Sequence, residues 1–324
     1  MAMDSRNPMI VASNDISRSH ILDRLSAIPE EEVWLAEQRS EHTRRAYRQD
    51  VAHFLTTLQI TSRTELRKID RVAIIAWQSS MKSAGVKAST IRRRLSALSS
   101  LFKHLVKVKA ADQNPVRDIK RPRINRKRGT TPSFSQKEAR VVLDAPTNKT
   151  IIGLRDRAIL SVGFQVGLRR SEIVSLQVNS HHVNAGYPSL RYQLKGGTEN
   201  SLAINPQTSQ RINEYLLAAG HADDYDGPLF RPVRGNRKDL EPRRYLDPVA
   251  VDRILRKYAK KSLGIERGYS AHSMRATFIT TALNNGASLE DVQEAVGHAD
   301  PSTTKLYDRR GYNPEKAASF FANY

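Results

Sequence analysis

A strongly basic, proline-marked break just after residue 114 constrains this fold more than any other feature of the sequence. Asn114-Pro115 closes a helix-patterned stretch, and residues 117–128 then carry seven Lys and Arg among twelve positions, with Pro122 inside. Proline lacks the amide a helix needs and clashes with the preceding turn, while like charges hold a segment open. Residues 117–132 therefore read as an extended basic linker, able to track a DNA backbone or simply to lie in solvent. At 324 residues the chain is long enough for a core on either side of it. The expected layout is a flexible segment over 1–30, a helical domain over 31–116, the linker, a second domain over 133–312 and a tail over 313–324.

Before the break, apolar residues recur at helical spacing. Tyr47, Val51, Phe54, Leu55 and Leu58 form one stripe, and Ile91, Leu95, Leu98, Phe102 and Leu105 form another. Between them Asp70 is placed to cap a shorter helix carrying Val72, Ile74, Ile75, Trp77 and Met81, followed by a Gly85 turn and a Ser89/Thr90 start signal. Four or five helices around a shared core are expected. Their outward faces are basic: Arg44, Arg45 and Arg48 on the earlier helix, Arg92, Arg93, Arg94 and Lys103 on the later one. Arg121, Arg123, Arg126, Lys127 and Arg128 extend the charge into the linker. Each cluster alone reads equally as a solvated face. The whole chain, however, holds 53 Lys and Arg against 33 Asp and Glu, a formal charge of +20, and such self-repulsion is best relieved by phosphates. Contact with a nucleic-acid backbone is the expected role, with an anionic membrane surface second.

No run approaches the roughly 20 apolar residues of a membrane helix. Met1 to Ser19 lacks the apolar core of a signal peptide. Cysteine is absent, which removes disulfides, thiolate catalysis and cysteine-based zinc sites. A cytoplasmic protein is expected.

After the break, Ser135-Gln-Lys-Glu138 is a capping box ahead of Val141, Val142 and Leu143. A helix from Leu154 to Val166 ends at Gly167. Strand-like stretches at Ser189 to Leu194 and Ser201 to Ile204 flank Lys195-Gly-Gly-Thr-Glu-Asn200, whose glycines suit a hairpin with Lys195 at its tip. Helices resume over Pro206 to Ala219 and Asp247 to Leu263, with a polar loop from His221 to Arg244 between them. The fold class is mainly α with a small antiparallel β-sheet in the second domain.

Along this second domain fall Arg169, Lys195, His272 and Arg275 in His-Ser-Met-Arg, His298 in Val-Gly-His, and Tyr307. Two arginines can neutralise a phosphate, lysine and histidine can move protons, and a phenol can attack phosphorus. His272 and Arg275, three apart, would share one helix face. Arg169, between a glycine turn and a new helix, would have helix amides and dipole to help it hold an anion. Taken singly, each residue also has an ordinary reading, as a turn arginine, a hairpin lysine, a helix-capping histidine or a core tyrosine. Asp223, Asp224 and Asp226 read as a solvated loop rather than a metal site, and His181-His182 as surface. No phosphate-binding Gly-rich loop or carboxylate metal motif is present, so no cofactor is expected.

The combination resembles one family in type, order and context: Gly-Leu-Arg169-x-Ser-Glu172, His272-Ser-x-Arg275, and Val-Gly-His298-Ala-Asp-Pro-Ser-Thr-Thr-x-x-Tyr307. These motifs resemble the tyrosine recombinases, the lambda-type integrases and Xer recombinases. The stretches Thr43-Arg-Arg-Ala-Tyr-Arg-Gln-Asp-Val and Ser89-Thr-Ile-Arg-Arg-Arg-Leu-Ser-Ala-Leu are similar to the family's SAM-like core-binding domain. The resemblance implies a two-domain, C-shaped clamp around double-stranded DNA carrying inverted-repeat core sites. It implies that Tyr307 is the nucleophile, that Arg169 and Arg275 clamp the scissile phosphate, and that Glu172 steadies the site. His272 would take the phenol's proton, His298 would bond the phosphate or orient the phenol, and Lys195 would be the general acid for the leaving 5′-oxygen. Strand exchange would pass through a 3′-phosphotyrosine and a Holliday junction in a homo-tetramer formed on DNA, with a monomer or weak dimer in solution and a nucleoid location when bound.

The residues before Arg39 are too few and irregular for an extra arm-binding domain, so a two-domain recombinase is expected. In this family the terminal segment often docks on a neighbouring protomer, and Phe320 and Phe321 are the expected contacts. Tyr312 is a rival nucleophile that the nine-residue spacing from His298 to Tyr307 disfavours. A type IB topoisomerase-like enzyme and a catalytically silent DNA-binding regulator are the alternatives.

Overall fold

The computed structural model describes residues 29–38, 40–124, 131–194, 197–233, 243–266, 268–298 and 300–307. The chain divides into two compact units, Met1–Asn125 and Arg126–Tyr324, each with a hydrophobic core of its own. Lys195, Arg126, Lys127, Arg128, Phe320 and Phe321 lie outside the described residues, as do residues 1–28 and the tail over 313–324.

Unit one contains helices α1 (Glu30–Ala36), α2 (Glu41–Thr57), α3 (Arg63–Arg67), α4 (Arg71–Ser83) and α5 (Ala88–Lys107). Three of these starts carry a side-chain cap: Ser40 Oγ accepts the Thr43 amide at 3.2 Å, Ser62 Oγ that of Glu65 at 3.2 Å and the Asp70 carboxylate that of Ala73 at 2.9 Å. α5 instead begins at Ala88 after an uncapped Lys87, so Ser89 and Thr90, read as its start signal, lie inside its first turn. Phe54, Ile74, Trp77, Leu95, Leu101 and Phe102 make a fully buried centre, each large side chain contributing about 1.5–3 kcal/mol of apolar burial. Periodicity did not signal α1 or α3, which are seven and five residues long and too short to show a repeat. For α3 the readable sign is the capping box between Ser62 and Glu65.

The opening of the basic break is packed rather than open. Val116 and Ile119 are buried. Gln78 Nε2 donates to the Lys120 carbonyl at 2.9 Å, Arg121 Nη1 to Ser96 Oγ at 2.7 Å and Arg92 Nη1 to the Pro122 carbonyl at 3.2 Å. Two buried aliphatic side chains and satisfied polar groups outweigh the repulsion expected to hold this stretch apart.

Unit two contains α6 (Gln136–Asp144), α7 (Ile151–Gln165), α8 (Arg170–Ser175), strands β1 (His181–Asn184), β2 (Tyr187–Gln193) and β3 (Glu199–Ala203), then α9 (Pro206–Ala219), α10 (Pro248–Leu263), α11 (Ala271–Asn284), α12 (Leu289–Val296) and α13 (Pro301–Lys305). The strands form an antiparallel sheet in the order β1-β2-β3, with Leu190 opposite Leu202 and Tyr192 opposite Asn200. β1 was not expected, because its four residues carry no alternating apolar pattern. His181 and His182 therefore sit on a strand, half-buried, with His181 Nε2 2.8 Å from Ser209 Oγ, not on open surface.

α7 is buried on nearly every side, with Ala158, Ile159, Leu160 and Val162 in the core. A Cβ on Gly163 would stand 2.6 Å from the Met274 side chain, so glycine here lets α11 lie close against α7. His272 and Arg275 lie two residues before and one residue after Met274 on the same helix. No helix among the described residues is long and apolar enough to cross a membrane.

Candidate active site

The turn after α7 presents the first arginine. Gly167 adopts φ +73°, and a Cβ there would lie 2.4 Å from the Phe278 ring, so only glycine fits both the conformation and the space. Arg169 follows as the residue capping α8. Both oxygens of the buried Glu172 carboxylate serve it: one accepts the Arg169 amide at 2.7 Å and the other accepts Nη1 at 2.6 Å. The Arg169 amide is thus already occupied by Glu172 and α8 is only six residues long, so the guanidinium is the group of Arg169 left to meet an anion.

α11 supplies the next two groups. Arg275 is 1 % exposed, donates Nη1 to the Gly167 carbonyl at 2.8 Å and Nη2 to the Val296 carbonyl, and leaves its buried Nε without an acceptor. Burial first, and the neighbouring Arg169 charge second, lower its pKa to about 10, so it stays cationic at neutral pH. His272 Nε2 lies 3.1 Å from the Tyr307 hydroxyl. Loss of water around the imidazole, then Arg275 and Arg169, lower its pKa, although part of the residue reaches solvent. A neutral imidazole with a lone pair on Nε2 is the form that accepts a proton from the phenol.

α12 delivers His298. Its C-terminus turns through Gly297 at φ +58°, with the Gly297 amide on the Glu294 carbonyl at 3.0 Å and the His298 amide on that of Gln293 at 3.2 Å, the paired bonds of a Schellman ending. His298 Nδ1 meets Thr304 Oγ1 at 2.9 Å, and its ring lies nearly parallel to that of Tyr307, 6.5 Å away at 19°. Burial, followed by Arg275 and Arg169, lowers the His298 pKa to about 4. Tyr307 follows α13 and is 7 % exposed, packed in a cluster with Ala276, Ile279, Leu283, Val292 and Val296.

The structure thus gathers Arg169, Glu172, His272, Arg275, His298 and Tyr307 into one site. Lys195 belongs by sequence to the β2–β3 connection, which is closed by the Leu194 amide on the Thr198 carbonyl at 2.7 Å and the Gly197 amide on the Leu194 carbonyl at 3.0 Å.

The basic residues of unit one divide into two kinds. Arg44, Arg45, Lys103 and Arg123 are exposed, as is Arg48, 3.7 Å from Glu32. Arg93 pairs with the buried Asp50, and Arg94 lies 3.8 Å from the same carboxylate and 2.9 Å from His53 Nε2. Burial raises the Asp50 pKa and the two arginines oppose that. Asp50 was missed from sequence, and its position beside Val51 on the α2 stripe is the signal that marks it as inward.

Asp252 was missed likewise. It is buried on α10 and joins Arg170 Nη1, at 2.8 Å, to the Ala271 amide at the start of α11, at 2.7 Å. Asp224, expected in a solvated loop, is ion-paired with Arg231 and with Arg243, the latter at 2.7 Å. Among the described residues no group of three or more His, Asp or Glu is placed to hold a metal ion.

Residues 132–313 match the model of the phage integrase family, and residues 30–109 match that family's N-terminal SAM-like domain. The chain belongs to the phage integrase family of tyrosine recombinases. The recombinase is 32 % identical over 235 residues to tyrosine recombinase XerC of Pelotomaculum thermopropionicum, covering 70 % of this chain and 72 % of that one. It is 30 % identical over 298 residues to tyrosine recombinase XerC of Myxococcus xanthus, covering 90 % and 93 %. Its fold is similar to lambda integrase, solved as a tetramer bound to a Holliday junction, at TM-score 0.65 and 15 % identity over 90 % of this chain and 78 % of that one. It is also similar to XerH bound to a palindromic difH substrate after cleavage, at TM-score 0.63 and 18 % identity over 82 % and 75 %.

Proposed function

We propose that this recombinase cuts and rejoins DNA at a defined site through a phosphotyrosine on Tyr307. The contact of 3.1 Å between the Tyr307 hydroxyl and His272 Nε2, beside Arg275 and Arg169, carries the reading. A free phenol has a pKa of about 10 and needs a proton acceptor to attack near neutrality. The neutral His272 is that acceptor. Tyr307 Oη bonds to phosphorus, its proton passes to His272, and the bond from phosphorus to the 5′-oxygen breaks. The departing oxygen takes a proton, for which Lys195 is the donor that the family resemblance assigns. The product is a 3′-phosphotyrosine and a free 5′-hydroxyl; attack by the 5′-hydroxyl of another strand reverses every step, so no external energy source is required.

Negative charge gathers on the nonbridging oxygens in such a reaction, and one preorganised donor is worth about 2.7–4 kcal/mol. Arg169 and Arg275 supply two. A buried N–H without an acceptor costs about 1–3 kcal/mol, and a phosphate oxygen is an acceptor that would relieve Arg275 Nε. In the tautomer that accepts the Thr304 hydroxyl at Nδ1, His298 carries its proton on Nε2 and can donate it to the phosphate.

At a larger scale, the reading is a homo-tetramer on inverted-repeat core sites that exchanges strands through a Holliday junction, with Phe320 and Phe321 in protomer contact and a monomer or weak dimer in solution. The likeness to lambda integrase on a Holliday junction and to XerH on a palindromic site supports it. Incubation with nicked duplexes drawn from the DNA flanking its gene, with mass-spectrometric mapping of the covalent product, tests the chemistry. An adduct on Tyr307 that Tyr307→Phe abolishes is expected. No adduct, or one on Tyr312, sinks the mechanism as written, and relaxation of a supercoiled plasmid carrying the same site without strand exchange favours the topoisomerase-like alternative.

A further inference from the structure

The last carbonyls of α12 find no donor within the helix, as at every helix end, and the Gly297 amide just beyond it meets the Glu294 carbonyl. Here side chains from elsewhere take three successive ones. Asn200 Nδ2 donates to the Glu294 carbonyl at 3.2 Å, Tyr192 Oη donates to that of Ala295 at 2.6 Å, and Arg275 Nη2 donates to that of Val296. Tyr192 and Asn200 are directly opposed across β2 and β3, and Asn200 Nδ2 also donates to Tyr192 Oη at 3.1 Å. A third contact is steric: a Cβ on Gly297 would lie 2.3 Å from the Leu194 side chain, so the start of the β2–β3 connection sits directly against the turn that carries His298.

We propose that Tyr192 and Asn200 are positioning residues that clamp β2 and β3, the strands on either side of Lys195 in sequence, onto the end of α12, whose turn carries His298. The inference rests on the reading of Lys195 as proton donor to the leaving 5′-oxygen. The clamp is built to persist at working pH. Tyr192 is buried, and burial first, then the nearby Glu172 carboxylate, push its pKa up to about 12, so the phenol keeps the proton it donates to Ala295. The clamped strands flank Lys195 in sequence, whereas Glu172 and the Gly167 and Val296 carbonyls hold the two arginines independently, so loosening the clamp is expected to act on the lysine before the arginines.

The test uses the full chain and the duplex recovered by adduct mapping, once with its ordinary scissile phosphodiester and once with sulfur replacing the bridging 5′-oxygen. A thiolate leaves without being protonated, so the sulfur substrate removes the need for the acid. Tyr192→Phe, which keeps the ring, and Asn200→Ala, at a less buried position, are compared with Lys195→Ala as benchmark and with Tyr187→Phe, on the exposed part of β2, as control. On the ordinary substrate both clamp variants are expected to form adduct about 10- to 100-fold more slowly, the range of a misplacement near 1 Å. On the sulfur substrate they should approach the wild-type rate, as Lys195→Ala does, with DNA affinity unchanged throughout and the control unaffected. Equal slowing on both substrates, or no slowing on either, overturns the clamp. If wild type cleaves but the sulfur substrate does not restore Lys195→Ala, the acid assignment falls and the clamp's stated purpose with it. If wild type forms no adduct at all, the phosphotyrosine reading has failed first.

Discussion

At the scale of single residues, the fold moves the ionisation of His272, Arg275 and His298 away from ordinary values. His298 has an ordinary pKa of 6.5 that the fold lowers to about 4. Between those values the unfolded chain binds more protons than the folded one, so stability is complete above 6.5 and is lost as pH falls toward 4. His272 is lowered in the same direction. The melting temperature of the DNA-free protein is therefore expected to drop on acidification through this window, and His298→Asn should flatten part of that slope; an unchanged slope would count against the assignment. Glu172→Gln keeps an acceptor for the Arg169 amide but removes the charge facing its guanidinium. Because that arginine side chain is 30 % exposed, solvent screens the pair, and a stability loss of about 1–2 kcal/mol in urea unfolding is the expected size. Arg275→Lys is not conservative here: one ammonium cannot span the Gly167 and Val296 carbonyls, and adduct formation should slow by about 10²–10³-fold.

At the scale of elements, two glycine turns set the geometry, one before Arg169 and one before His298. Gly297→Ala meets a left-handed backbone, worth about 1–2 kcal/mol, and an overlap with Leu194 worth about 1–3 kcal/mol. A loss of roughly 2–5 kcal/mol in denaturant midpoint analysis is expected from the two together. The first of these turns was legible in the sequence, as were the Ser135–Glu138 cap, the α9 and α10 spans and the spacing of His272 to Arg275, because each is written in residues a few positions apart. What stayed hidden spans long separations. Tyr192 bonds to Ala295 across 103 positions and Phe134 to Thr277 across 143, and no local pattern announces either. β1 stayed hidden for the opposite reason, since a four-residue edge strand has too little sequence to show a period. The packed start of the basic break was misread because charge dominates its composition while two aliphatic side chains decide where it lies.

At the scale of the whole molecule, the formal charge of +20 is expected to show in DNA binding as a steep dependence on salt, with log K falling by about 0.9 per decade of salt for every phosphate neutralised. Replacing the exposed Lys103 and Arg123 by Gln should lower that slope by about 2 if both meet phosphates. Replacing Arg94, whose partners are Asp50 and His53, should reduce thermal stability instead. The division into two units at Asn125 and Arg126 leaves Arg169, Glu172, His272, Arg275, His298 and Tyr307 all on one side of a single crossing of the chain. A hybrid joined at that crossing would exchange unit one for that of a relative while keeping Arg169, Glu172, His272, Arg275, His298 and Tyr307 on one uninterrupted piece of chain, so any change in adduct yield after the exchange would report what unit one contributes to the chemistry proposed for Tyr307.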